Sequence, residues 1–139
     1  MALPYTSRKL QDSGLAANVA MPIAANTTST NGIDLTSASP YPVTEKIVCR
    51  IETTASAGTA NSKNVNIRLM DSADNGNWAN MAIFANPLLM VTDNSGTTPA
   101  SSIEVTLPPN TRRYIKAAAV GEANGGNAAD ATMTLKLLF

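Results

Sequence analysis

The sequence contains no histidine. That removes at once the usual general base, the usual triad member and the commonest metal ligand, and most hydrolytic mechanisms go with them. There is one cysteine, Cys49, so neither an intrachain disulfide nor a C-x-x-C metal or redox pair can form, and the core must hold by packing alone. Aromatic residues make up 4% of the chain, with one Trp, three Tyr and two Phe, so a sugar-binding platform of stacked aromatics built from Trp78, Tyr5, Tyr41 and Tyr114 would consume nearly all of them. Net charge is also lacking: ten Lys and Arg balance ten Asp and Glu. No long-range field draws the chain to nucleic acid or to an anionic membrane, and neither is expected as a partner. No run approaches the roughly eighteen apolar residues that span a bilayer. The one candidate secretion signal, Arg8 and Lys9 ahead of LAANVAMPIAA, is interrupted by Asp12, Asn18 and Pro22, so synthesis and retention in the cytoplasm are expected.

Ala, Thr, Ser and Asn fill much of the chain, and only 14% of its residues are charged. A surface so neutral is poorly protected against association, which suits a subunit packed against others. The 139 residues fall within the size of one domain that buries roughly two-thirds of its unfolded surface.

Residues 1–25 carry neither a helical stripe nor clean alternation and are broken by Pro4, Gly14 and Pro22. They read as an extended N-terminal arm, leaving 26–139 as the folded domain. From Asn26 onward, β-branched segments alternate with Gly, Asn, Asp, Ser and Pro clusters, the signature of an antiparallel sandwich. KIVCRIETT (46–54) places Ile47, Cys49 and Ile51 on one face; KNVNIRLM (63–70) does the same with Val65, Ile67 and Leu69, as period-two alternation requires. Trp78 to Leu89 is apolar and irregular, a bulged strand or two short ones around Pro87. SSIEVTL (101–107) alternates cleanly before Pro108-Pro109-Asn110 forces a turn. RRYIKAAAV (112–120) and ATMTLKLLF (131–139), with Ala131, Met133, Leu135 and Leu137 on one face, complete about seven or eight strands without a helix. The fold class is therefore all-β, an antiparallel β-sandwich with an extended arm.

Candidate sites are few. Asp71 and Asp74 in DSADNGN are the densest acidic spot, but a calcium-loop count from Asp71 meets Ala73 at position three and Ala82 at position twelve, so an ordinary turn is expected and no metal. Neither G-x-x-x-x-G-K-[ST] nor G-x-G-x-x-G occurs, so no nucleotide cofactor is expected. Cys49 shares the face of Ile47 and Ile51 and reads as a buried apolar residue. Arg112 and Arg113 are open to two readings: a solvated strand start, or a grip on an acidic partner patch.

The order of segments NGIDL, KIVCRIET, NIRLMDSADNGNWANMAIF, IEVTLPPNTRRYIKAAAV and ATMTLKLLF resembles the small capsid cement proteins of short-tailed bacteriophages of the Bordetella-phage type. The shared features are a hydrophobic-Asp-Leu after an Asn/Thr-rich lead, a strand entering an Asp/Asn turn before an aromatic, and L-P-P-x-T before an aromatic strand. They cover Thr30 to Phe139, and the arm is longer than the family's. The resemblance implies a jelly-roll-like sandwich without catalytic residues, sitting as a homodimer on the outer surface of a shell of major capsid protein in the virion. There it bridges neighbouring subunits and stabilises the shell. Partner contacts are expected from the arm, at Tyr5, Arg8, Lys9 and Leu10, and from Arg112 and Arg113. The alternative reading is a carbohydrate-binding or host-attachment sandwich module that uses Trp78.

Overall fold

The computed structural model describes residues 11–23, 25–35, 47–56, 64–81, 88–91, 100–121 and 127–138. Within them the chain forms ten strands and no α-helix: β1 (Gln11–Ala20), β2 (Thr27–Ser29), β3 (Ile33–Asp34), β4 (Val48–Thr53), β5 (Asn64–Ser72), β6 (Ala79–Asn80), β7 (Leu88–Val91), β8 (Ser101–Thr106), β9 (Tyr114–Gly121) and β10 (Thr132–Leu138). They make two sheets in which every pairing is antiparallel. The first runs β1-β10-β4-β8; the second runs β2-β9-β5-β6, with β3 also on β9 and β7 also on β5. This is the expected all-β sandwich; the strand count exceeds the expected seven or eight because β1 lies in the stretch read as an arm and β3 is a separate two-residue element.

The alternating sequences place their apolar sides between the sheets. Cys49 and Ile51 of β4, Val65, Ile67 and Leu69 of β5, Ile115, Ala117 and Ala119 of β9, and Met133, Leu135 and Leu137 of β10 are buried in one cluster. The edge strand β8 contributes Ile103 and Val105, which are only partly buried, because an edge has core on one flank alone. The expected strand at 112–120 begins two residues later, since Arg112 and Arg113 lie ahead of β9. The apolar stretch 78–89 resolves into β6 and β7 on either side of residues 82–87, which lie outside the described set.

The N-terminal arm requires a correction. Tyr5, Arg8, Lys9 and Leu10 lie outside the described residues, but residues 11–20 are the strand β1, paired with β10 from Ala16↔Lys136 to Ala20↔Thr132. The chain stays engaged beyond it: the Met21 N–H donates to the Ala131 carbonyl at 2.9 Å, and the Met21 side chain is 1% exposed. Residue 25 is therefore not a boundary between arm and domain. AANVA (16–20) carries no clear alternation to announce a strand because small apolar residues stand on both its faces, and the ladder to β10 supplies what the side-chain pattern does not.

Between β2 and β3 the register on β9 slips. Ser29 faces Ala118 and Ile33 faces Ile115, so Thr30, Asn31 and Gly32 span two residues of β9, a bulge that bends the strand. Buried Thr30 ties the bulge down: its N–H donates to the Ala117 carbonyl at 2.9 Å and its hydroxyl accepts the Ala117 N–H at 3.1 Å.

Candidate functional site

Directly opposed residues in an antiparallel sheet point to the same face, so the register assigns the outer surfaces. On the first sheet the outward row through Lys136, Arg50 and Glu104 is set by the pairs Lys136↔Arg50 and Arg50↔Glu104. The two cations oppose each other directly, and two glutamates resolve the conflict. Glu52 lies 2.7 Å from Lys136 and 3.3 Å from Arg50, while Glu104 accepts hydrogen bonds from Arg50 Nε and Nη2. The hydrogen bond from Lys136, with the charges of Lys136 and Arg50, holds the Glu52 carboxyl below its ordinary value against the opposing effect of partial burial. Beside this ladder lies a shallow groove of about 430 Å³ bordered by Glu52, Thr54, Ala100, Ser102, Thr132 and Thr134. Apart from Glu52, its walls are hydroxyls and methyls.

The outer face of the second sheet carries Thr27 and Ser29 from β2, Asp34 from β3, Tyr114, Lys116, Ala118 and Val120 from β9, and Asn66, Arg68 and Met70 from β5. The half-buried Trp78 lies against it, with the Lys116 ammonium 4.5 Å from its ring centre. Gly32 approaches the same indole: a Cβ there would come within 3.1 Å of Trp78 Cη2 and would collide with Asn75 Oδ1. Trp78 is thus held in place by its neighbours, as expected of a packing anchor beside the preceding turn. Arg113 pairs with Asp34 through Nε at 3.0 Å and Nη2 at 2.9 Å, and its guanidinium sits 5.0 Å from the Tyr114 ring centre.

The DSADNGN segment is a tight turn. Asp74 Oδ1 accepts the Gly76 N–H (2.9 Å), the Asn77 N–H (2.8 Å) and the Ser72 hydroxyl (2.9 Å), and Oδ2 accepts Asn77 Nδ2 (2.7 Å). Asn75 takes φ 59°, a left-handed conformation that asparagine tolerates. These donors, the backbone N–H of Asn77 foremost, hold the Asp74 carboxyl far below the usual carboxylate range. The turn satisfies its own carboxylate. Among the described residues no group of three or more Cys, Asp or Glu side chains could hold a metal ion.

Asp71 has the parity of the core residues Leu69 and Ile67 but lies at the open end of the sandwich. There its carboxylate takes the Arg112 N–H (3.0 Å), Nε (3.0 Å) and Nη2 (2.6 Å). Burial pushes the Asp71 carboxyl up, and the hydrogen bonds and charge of Arg112 outweigh it, leaving the group below its ordinary value. Both members of the Arg112-Arg113 doublet are thus paired within the chain. Cys49 is buried, and desolvation pushes its thiol up to about 12. No described helix is long and apolar enough to cross a membrane.

The sequence did not single out Asp34, Glu52, Glu104, Arg68, Lys116 or Lys136 as site residues. Alternation alone puts each on an outer face, but which cation meets which carboxylate is a matter of register between strands distant in the chain.

No family model and no curated protein matches this sequence. Solved structures do. The PBSX exported protein XepA superposes with a TM-score of 0.54 at 14% identity, over 90% of this chain and 37% of that one. The chain thus spans little more than a third of XepA. The CBM27-1 module of Caldicellulosiruptor saccharolyticus, solved with mannohexaose, gives a TM-score of 0.51 at 11% identity over 88% of this chain and 72% of the module. At such identities the likeness is one of fold, a β-sandwich module.

Proposed function

We propose that the chain is a non-catalytic structural subunit of a virion: a cement protein that binds the outer surface of a shell of major capsid protein, as a homodimer, and stabilises it. The observation that carries the reading is how the described carboxylates are used. Asp34, Glu52, Asp71, Asp74, Glu104 and Asp130 are each engaged by a donor within the chain, and the one thiol is buried. Among the described residues, the carboxylates that could act as general acid or base are thus spent on holding the sandwich. What is left to the surface is two broad faces suited to covering a protein. The order of sequence segments supports the same reading. Each copy would add contacts between subunits already held in a lattice, so a modest interface acts at high effective concentration and many copies reinforce one another.

The test is co-sedimentation of the purified chain with mature shells stripped of it, followed by heating of loaded and bare shells. Saturable binding that raises the disruption temperature is expected. Protein that stays in the supernatant and leaves the shells unchanged would end the reading. Light scattering of the free chain checks the dimer.

A second reading, a carbohydrate-binding module, rests on Trp78 and Tyr114 bordering the outer face of the second sheet. It calls for saturable binding on a glycan array that Trp78→Ala abolishes. The Lys116 ammonium over the indole weighs against it, because a sugar ring would have to displace that cation to stack there.

A further inference from the structure

The two outer faces treat neighbouring cations differently. On the first sheet Lys136 and Arg50 oppose each other and two glutamates neutralise them. On the second, the register pairs Arg68 with Ala118 and Met70 with Lys116. Arg68 and Lys116 are thus diagonal neighbours on adjacent strands, about 7–8 Å apart. Among the described residues neither forms an ion pair with a carboxylate; the contact of Lys116 is the Trp78 ring. Asp34 is taken by Arg113, and Asp74, at the end of this sheet, directs its carboxylate onto the N–H groups of its own turn. The described side chains therefore leave two cations in excess on the second face and balanced charge on the first. Beside Arg68 the outward row continues through Ala118, which is buried, and the exposed Ser29.

We propose that the outer face of the second sheet is the surface by which this chain docks on its shell, and that it meets an acidic patch of the shell protein there. Carboxylates of that patch complete the pairing that Arg68 and Lys116 lack among the described residues. The inference rests on the shell-binding reading and adds to it the face and the partner's chemistry. Charge complementarity of this kind sets orientation and encounter rate. Two cations on a chain of zero net charge are too few for nucleic acid, where binding is carried by several phosphate contacts at once. They are enough to fix how one protein surface sits on another.

The test uses the full chain and stripped shells, with binding measured from about 50 to 300 mM NaCl, a range over which the screening length shortens markedly. Arg68→Gln/Lys116→Gln should bind at least about tenfold more weakly and lose most of the salt dependence. Thr134→Gln, on the opposite face, should bind as wild type. Urea midpoints check that each variant is folded, and Arg68→Gln alone, which removes no ion pair, carries the test if the double variant is unstable. A double variant that is folded and binds with wild-type affinity and salt dependence overturns the docking face while leaving the shell reading intact. Wild-type protein that binds no shells at any salt overturns both. Retention on heparin or duplex DNA as strong as on shells, abolished by the double variant, would make the partner a polyanion and overturn the acidic protein patch.

Discussion

Asp71 and Arg112 lie 41 residues apart in sequence and close one end of the sandwich, the guanidinium donating to the carboxylate through Nε at 3.0 Å and Nη2 at 2.6 Å. The Asp71 side chain is 13% exposed and that of Arg112 40%, so removing the acid is the informative change. Asp71→Ala removes the acceptor of the Arg112 backbone N–H and Nε and leaves Nη2 only the Asp71 main-chain carbonyl, at 2.6 Å. A lower urea midpoint at unchanged m-value is expected, chiefly from the part-buried backbone N–H, because water reaches the guanidinium. Asp71→Asn keeps the shape and should fall between that variant and wild type.

Deleting residues 1–25 should do more than remove an arm. It strips the β1 ladder from β10 and takes the fully buried Met21 out of the core, exposing β10 as a new sheet edge. The truncated chain should lose its cooperative thermal transition or precipitate, whereas deletion of residues 1–10, which leaves β1 whole, should keep the transition. A 26–139 fragment that unfolds cooperatively at the wild-type temperature would show β1 to be dispensable.

The contrast between β1 and the other strands says what was legible in the sequence. β4, β5, β8 and β10 announce themselves because each is buried on one side, and a half-buried strand must alternate. In β9, Ala118 is buried on the outward side as well, so AAAV reads as apolar without saying which residues face the core. The bulge at Thr30 to Gly32 depends on β9 lying alongside it. At the candidate site, the doublet Arg112-Arg113 stood out as charge, yet Asp71 and Asp34 become its partners only through the β5–β9 and β3–β9 registers. Arg68 and Lys116 were legible as outward residues, but their adjacency was not, because strand pairing between distant segments leaves no local mark.

The Asp74 turn makes stability depend on pH with a definite sign. Its carboxyl is held well below the ordinary value by the N–H groups of Asn77 and Gly76. Its contribution is therefore complete above the unfolded-state value of about 4 and is lost as pH falls toward the folded one. Asp71 and Glu52, also lowered, act in the same direction. Thermal midpoints should be flat from pH 7 to about 5 and fall steadily below about 4. In Asp74→Ala the midpoint should drop at pH 7, and the gap to wild type should narrow toward pH 2. A gap that widens on acidification would contradict the hydrogen bonds described for this turn.

Cys49 should behave as a reporter of unfolding. The thiol lies on the core side of β4 between Ile47 and Ile51, and burial pushes it up to about 12. At pH 8 it is both protonated and out of reach of a thiol reagent. Native protein should react with a disulfide reagent only as fast as it opens, and denatured protein at the rate of a free thiol. Cys49→Ser places a hydroxyl among these apolar side chains and should cost about 1–3 kcal/mol. Fast labelling of folded protein would mean that β4 opens locally.

Thr28 offers the opposite kind of test, a substitution expected to stabilise. It lies on the inward side of β2, opposite the fully buried Ala119, and its Oγ1 is buried with no hydrogen-bond partner. The neighbouring hydroxyl of Thr30, by contrast, accepts the Ala117 N–H. An unpaired buried hydroxyl has left water and regained nothing, so replacing it by a methyl of the same shape removes a cost without opening a cavity. Thr28→Val should therefore raise stability by about 1 kcal/mol, seen as a higher urea midpoint at constant m-value. Thr30→Val, which orphans the Ala117 N–H, should lower it by a similar amount. If Thr28→Val instead proves destabilising, its hydroxyl has a partner in solution, and a water held between β2 and the core is the first place to look for one.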